Sequence, residues 1–166
     1  MKIAVKHGSL TEIRCDALIV NLFEGVKQPG GGTGAVDRAL GGAISRQIEE
    51  EDFKGKLGEC MVVKPSDEFS ARKVIVVGLG KSEDFGSFEI MKAAAAAIRK
   101  CKELRAKSVA SILHGAGIAG LPTFDCARAT ALGTILGDYE FIRWKTEDVK
   151  ENPLESFEIV ELSAEK

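Results

Sequence analysis

The chain has 166 residues, 45% apolar and 29% charged, with a formal net charge of -2, the balance of a globular protein long enough to bury a sizeable core in one domain. Lys and Arg are spread along the chain and slightly outnumbered by Asp and Glu, which argues against a nucleic-acid partner. Apolar runs fall far short of the roughly 20 residues that span a bilayer, and the opening MKIAVKHGS lacks the pattern of a signal peptide, so a cytoplasmic protein without a membrane partner is expected.

Lys2 to Lys6 alternates polar and apolar residues, as an edge or half-buried strand does. After the turn at His7-Gly8-Ser9, Ala17, Leu18, Ile19 and Val20 form an uninterrupted apolar run, the signature of a strand covered on both faces. Asn21 ends it, and Leu22 to Gly30 is a loop. Gly30, Gly31, Gly32 and Gly34 then let another molecule or chain segment approach the backbone closely. Val36, Leu40, Ile44 and Ile48 recur every four residues, so one helix is expected from about Ala35 to Asp52. Asp37 beside Arg38 on that helix reads as a solvated pair. The free N–H groups of the helix start would face the glycine loop and favour an anion there.

Phe53 to Gly58 is a turn-rich connector. Glu59 to Lys64 and Lys73 to Val77 read as strands, the second central and closed by Gly78 and Gly80. Ser87 to Ala106, with Ile90, Ala94, Ala97, Ile98, Cys101 and Leu104 on one stripe, is a helix suited by its alanines to close packing on a sheet. Ser108 to Leu113 is a further buried strand, entering a second glycine loop from His114 to Pro122. Thr123 or Asp125 caps a third helix, on which Cys126, Ala129, Leu132 and Leu136 are spaced for one face, with Gly133 and Gly137 permitting close approach. Tyr139, Phe141 and Trp144 concentrate aromatic surface, Lys145 to Pro153 reads as charged and mobile, and Glu155 to Glu161 alternates as a last, antiparallel edge strand. Interleaved strands and helices imply an α/β sandwich.

Both glycine loops leave a strand and enter a helix, the place where open α/β sheets bind ligands, so together they are candidates to cradle a diphosphate. Neither matches a P-loop or the G-x-G-x-x-G dinucleotide fingerprint, and tight turns needed for packing alone remain the alternative. Asn21 is the best-placed polar residue, as a ligand contact or a turn partner. His114 reads as a loop residue or a base. The four cysteines are isolated and only two histidines exist, so buried reduced thiols are expected rather than a metal site.

Four segments in order, DALIVNLFEG, DRALGGAISRQIEEEDFKGKLGE, ARKVIVVGLGK and ALGTILGDYEFIRWKTE, resemble the amino-terminal domain of leucyl (cytosol) aminopeptidases over about Asp16 to Glu161. The resemblance implies a two-domain subunit assembled as a hexamer, with a two-metal (Zn or Mn) peptidase site wholly in the carboxyl-terminal domain. The family's N-T-D-A-E-G-R signature and metal ligands have no counterpart here, so no catalytic or metal-binding residue is carried over. The chain then reads as an excised domain or a stand-alone homologue, serving assembly and access to a site carried elsewhere, with exposed apolar surface for its partners.

That domain is similar in turn to macro domains, which implies a three-layer αβα sandwich with a mixed, mostly parallel sheet that binds ADP-ribose. DALIVN, Gly30-Gly31-Gly32 and Gly117-Ile118-Ala119-Gly120-Leu121-Pro122 sit where macro domains carry D-A-I-V-N-A-A-N, G-G-G-V-D-G and G-[IV]-[YF]-G-[FY]-P. The rival reading is therefore a module binding ADP-ribose or a related nucleotide through Asn21, Gly30, Gly31, Gly32, Gly34, Gly115, Gly117, Ile118 and Gly120. Three departures bear on it: Ser9 replaces the adenine-binding aspartate, Glu24 replaces the second asparagine, and Gly34 stands where hydrolytic macro domains use an aspartate. They argue against hydrolysis and leave binding open.

Overall fold

The computed structural model describes residues 1–116, 120–139 and 154–161. Among them β1 (Lys2–His7), β2 (Ala17–Leu22), β3 (Cys60–Val63), β4 (Val74–Gly78), β5 (Ser108–Ile112) and β6 (Ser156–Glu161) form one sheet in the order β1-β6-β5-β2-β4-β3. Strand β3 pairs antiparallel with β4, and the other pairings are parallel. The helices are α1 (Gly31–Ala39), α2 (Ala43–Glu50), α3 (Ser87–Glu103) and α4 (Thr123–Asp138). None of the described helices is long and apolar enough to cross a membrane.

The apolar runs of β2 and β4 are continuous because both faces of the sheet are covered. Leu18, Val20, Val74 and Val76 pack with Val36, Ile44 and Ile48 of α1 and α2. Their neighbours Ala17, Ile19, Ile75 and Val77 pack on the other face with Ile90, Ala97 and Ile98 of α3 and with Cys126 and Ala129 of α4. This is the expected three-layer αβα sandwich with a mixed, mostly parallel sheet.

Four expectations are corrected. The single helix from Ala35 to Asp52 is two helices, and α1 begins among the glycines, at Gly31. Gly41 and Gly42 both have left-handed φ (61° and 79°), which ends α1, and Asp37 then caps α2. Its carboxylate is buried and accepts hydrogen bonds from Ile44 N at 2.8 Å, from Ser45 N at 3.1 Å and from the Ser45 hydroxyl, so Asp37 is no solvated partner of Arg38. Strand β6 is no antiparallel edge: it lies parallel between β1 and β5, because Phe157, Ile159 and Val160 are buried.

The fourth correction concerns α4. Neither Thr123 nor Asp125 caps it; Pro122 occupies that position. Its buried face is Cys126, Ala129, Thr130, Gly133, Thr134 and Gly137, while Leu132 (45% exposed), Ile135 (52%), Leu136 (56%) and Tyr139 (71%) face outward. The reason is the closeness of α3. A Cβ on Gly133 would stand 2.3 Å from the Met91 carbonyl oxygen, and one on Gly137 would stand 2.6 Å from that of Ala95, so bulky residues are driven to the far side. Phe141 and Trp144, like the segment Lys145 to Pro153, lie outside the described residues.

Candidate functional site

Strand β2 is followed in the chain by elements on the β4 side of the sheet, and β5 by elements on the β6 side. Their carboxyl ends therefore diverge, the arrangement that opens a ligand crevice in α/β sheets. A cleft of about 540 Å³ lies there, within the size range of small-molecule sites. Its wall is mostly apolar: Leu10 follows β1, Phe23 and Val26 follow β2, Ile112 and Leu113 lie at the end of β5, and Val160 is on β6. Glu161 stands at its edge, and no Lys or Arg lines it among the described residues.

Of the residues expected from sequence, Asn21, Gly30, Gly31, Gly32 and Gly115 line this cleft. Gly34 does not: a Cβ there would meet the Pro29 carbonyl at 2.5 Å, so this glycine lets the loop close on itself. Gly120 is exposed, with φ at 65°, and does not line the cleft, while Gly117 and Ile118 lie outside the described residues. Gly115 also has a packing role, since its Cα faces Phe85 and Ile90 with room for no side chain (a Cβ would be 2.9 Å from Ile90 Cδ1). Neither Ser9, bonded through its hydroxyl to Thr11 at 2.8 Å, nor the exposed Glu24 lines the cleft.

Two polar residues set the floor. β5 pairs with β2 only as far as Ile19, and beyond that point Thr33 of α1 serves the backbone of Asn21. Its hydroxyl donates to Asn21 O at 2.8 Å and accepts from Asn21 N at 3.3 Å, which docks the start of α1 on the strand end. His114 is fully buried with its Nδ1 2.8 Å from Asn21 Nδ2. Burial pushes the imidazole pKa down to about 4, so the ring is neutral at physiological pH. His114 is thus the loop residue that the sequence offered as one alternative, with a buried ring that does not line the cleft. It is a buried tie between the second glycine loop and the end of β2. Thr33 and the apolar wall were missed in the sequence, although Thr33 sits between the glycines where a helix-start hydroxyl was to be sought.

Residues 19–148 match the family model described as the cytosol aminopeptidase family, N-terminal domain. The chain belongs to the cytosol aminopeptidase family. It is 33% identical over 150 residues to the probable cytosol aminopeptidase of Alkaliphilus oremlandii, which covers 89% of this chain and 30% of that protein. It therefore spans about a third of the length of the curated relatives it matches, at their amino-terminal part. Among solved structures it is similar to a tomato leucine aminopeptidase mutant, with a TM-score of 0.79 and 26% identity over 98% of this chain and 33% of that one. A macrodomain from Oceanobacillus iheyensis shares the fold, with a TM-score of 0.73 at 14% identity over 98% of this chain and 84% of that one.

Cytosol aminopeptidases are metallopeptidases, and the residues described here do not fit a metal pair. No three His, Cys, Asp or Glu side chains converge among them, and the Nδ1 of His114 already faces Asn21. Burial also raises the Cys15 and Cys60 thiols to about 11 and pushes Cys101 higher still, leaving protonated sulfurs that are poor ligands and poor nucleophiles at neutral pH.

Proposed function

We propose that this chain is the non-catalytic amino-terminal part of a cytoplasmic leucyl (cytosol) aminopeptidase, and that it serves assembly and control of access to a peptidase site carried elsewhere. Its partners on this reading are the catalytic domain, which would hold the two divalent metals (Zn or Mn), and the other subunits of a homo-oligomer, a hexamer in the family. One observation carries it: Leu132, Ile135 and Leu136 of α4, with Tyr139 at its carboxyl cap, form an outward apolar stripe, which a free-standing domain has no reason to expose. The test is a chimera in which this chain replaces the amino-terminal third of the Alkaliphilus oremlandii relative. An active oligomer is expected, and Ile135→Glu with Leu136→Glu should shift it to smaller species on size-exclusion chromatography. Unchanged assembly of the double variant would remove the stripe from this role. Hydrolysis of leucine p-nitroanilide by the chain alone, supplied with Zn or Mn, would refute the non-catalytic reading.

The cleft favours a second reading, a macro-type module that binds ADP-ribose or a related nucleotide through Asn21, Gly30, Gly31, Gly32 and Gly115. Gly30 is the informative position, because its φ is -109° and nothing lies within 4 Å of where its Cβ would be. Gly30→Trp should therefore fold and crowd the cleft. Calorimetry is expected to show ADP-ribose binding that the variant weakens at least about tenfold, a loss of about 1.4 kcal/mol. Absence of heat with millimolar ligand would overturn this reading of the cleft.

A further inference from the structure

Lys92, Ala96 and Arg99 stand at i, i+4 and i+7 of α3, so they share one side of the helix. That side borders a second groove, of about 520 Å³, which is bounded as well by Leu57 and Gly58 of the connector and by Leu136 of α4. Between the two cations the groove meets only Ala95 and Ala96 of α3, and the connector runs so close that a Cβ on Gly58 would stand 3.4 Å from the Ala96 Cβ. The groove is therefore apolar along its middle and positive at both ends. No Asp or Glu lines it among the described residues. Nearby acids are engaged elsewhere: Glu103 with Lys100 at 2.6 Å, Asp138 with Lys102 at 3.7 Å, and Glu59 accepting from Lys56 N at 3.0 Å. Lys92 and Arg99 are exposed and enter no ion pair among the described residues; Lys92 rests instead over the exposed ring of Phe88, 4.2 Å from its centroid.

We propose that this groove docks one amphipathic helix of a separate partner protein, carrying two acidic residues seven positions apart that bracket an apolar pair. The spacing follows from α3 itself. Seven residues of a helix rise about 10.5 Å, so carboxylates two turns apart on a helix laid along the groove reach Lys92 and Arg99 together, and the apolar residues midway between them fall on Ala95, Ala96 and Leu136. Charge also decides the kind of partner. Permanent subunit interfaces are more apolar and keep lysine out of their centre, whereas this groove holds an exposed cation at each end, which suits a partner that binds and leaves. The chain as a whole has a net charge of -2, so the attraction for an acidic helix is local to these two side chains. The proposal is independent of both readings above, and the groove shares only Leu136 with the outward stripe of α4.

Fluorescence anisotropy on the whole chain tests this with labelled, alanine-rich helical peptides. The probe carries two Glu seven positions apart with two Leu midway between them; its isomer has the same composition with the two Glu side by side at one end. The probe should bind at least about tenfold more tightly than the isomer at low salt. Lys92→Glu combined with Arg99→Glu, both at exposed positions, should remove that binding, and a probe with Lys in place of both Glu should bind the double variant and not the original chain. Ala96→Gln, neutral but bulky, should weaken the probe at least about tenfold by filling the middle of the groove. Equal binding of probe and isomer, failure of the charge exchange to restore binding, or indifference to Ala96→Gln overturns the proposal. So does the absence of binding at millimolar peptide. None of these results bears on the assembly reading, which is decided by the size of the oligomer.

Discussion

Gly78→Ala should destabilise the fold by about 3 kcal/mol, the upper part of the range for overpacking a core. The position ends β4 and looks innocuous, with extended backbone and no side chain required by any ligand. Yet a Cβ built on it would stand 2.0 Å from the Lys56 carbonyl oxygen and 2.5 Å from the Gly55 carbonyl carbon. Both obstacles are backbone, so no rotamer change relieves the clash. The connector from 53 to 58 crosses the strand there, held by Gly80 N to Gly55 O at 3.0 Å and Gly58 N to Gly78 O at 2.9 Å. Gly55 in turn fits under the Phe23 carbonyl, where a Cβ would be 2.6 Å away. Pushing the connector off β4 should therefore also disturb Phe23, which stands edge-on to Phe85 with centroids 4.9 Å apart and forms a wall of the cleft. Urea unfolding of the variant beside the original chain checks this, and a change below about 1 kcal/mol would mean that the connector yields without cost.

Acid should weaken the fold through His114, by about 3 kcal/mol in total. The ordinary imidazole takes up a proton near 6.5, and in the folded chain burial lowers this to about 4. Above pH 6.5 both the folded and unfolded states carry a neutral ring, and this residue contributes no pH dependence. As pH falls below 6.5 the unfolded chain binds a proton that the folded chain refuses, so stability declines until the folded ring also protonates near pH 4. At about 1.4 kcal/mol per pH unit, that interval corresponds to about 3 kcal/mol. Urea midpoints at pH 7.5, 5 and 4 should show a steeper fall for the unaltered chain than for His114→Asn, which cannot titrate. Carboxylates contribute to both proteins alike, so parallel curves would show that the ring is solvated or already charged when folded.

Much of the architecture was legible because local pattern and tertiary environment agree. An unbroken apolar run such as Ala17 to Val20 requires cover on both faces, and both cores supply it. The α3 stripe of Ile90, Ala94, Ala97, Ile98 and Cys101 is buried as its spacing required. The glycine loops also announced where the chain closes on itself. Of the site, Asn21 and the first three glycines were readable because a strand end followed by residues without Cβ marks a crevice in an α/β sheet. The Leu10, Ile112 and Val160 wall was not, since these residues, one from the turn after β1 and the others from β5 and β6, are far apart in sequence and meet only when β6 inserts between β1 and β5.

What the sequence determined by itself was the alternation of strands and helices, the family and the position of the glycine loops, because each depends on neighbours within a few residues. Helical period alone pointed Leu132 and Leu136 inward; only the approach of α3 to Gly133 and Gly137 turned them out. Asp37 read as a surface charge until the two left-handed glycines folded α2 back onto its carboxylate. His114 is the loop residue the sequence offered, but only the tertiary structure buries its ring and brings Asn21 of β2 to its Nδ1. In each case the deciding contact comes from packing of separate elements, where backbone distance and the exclusion of water outweigh local preference.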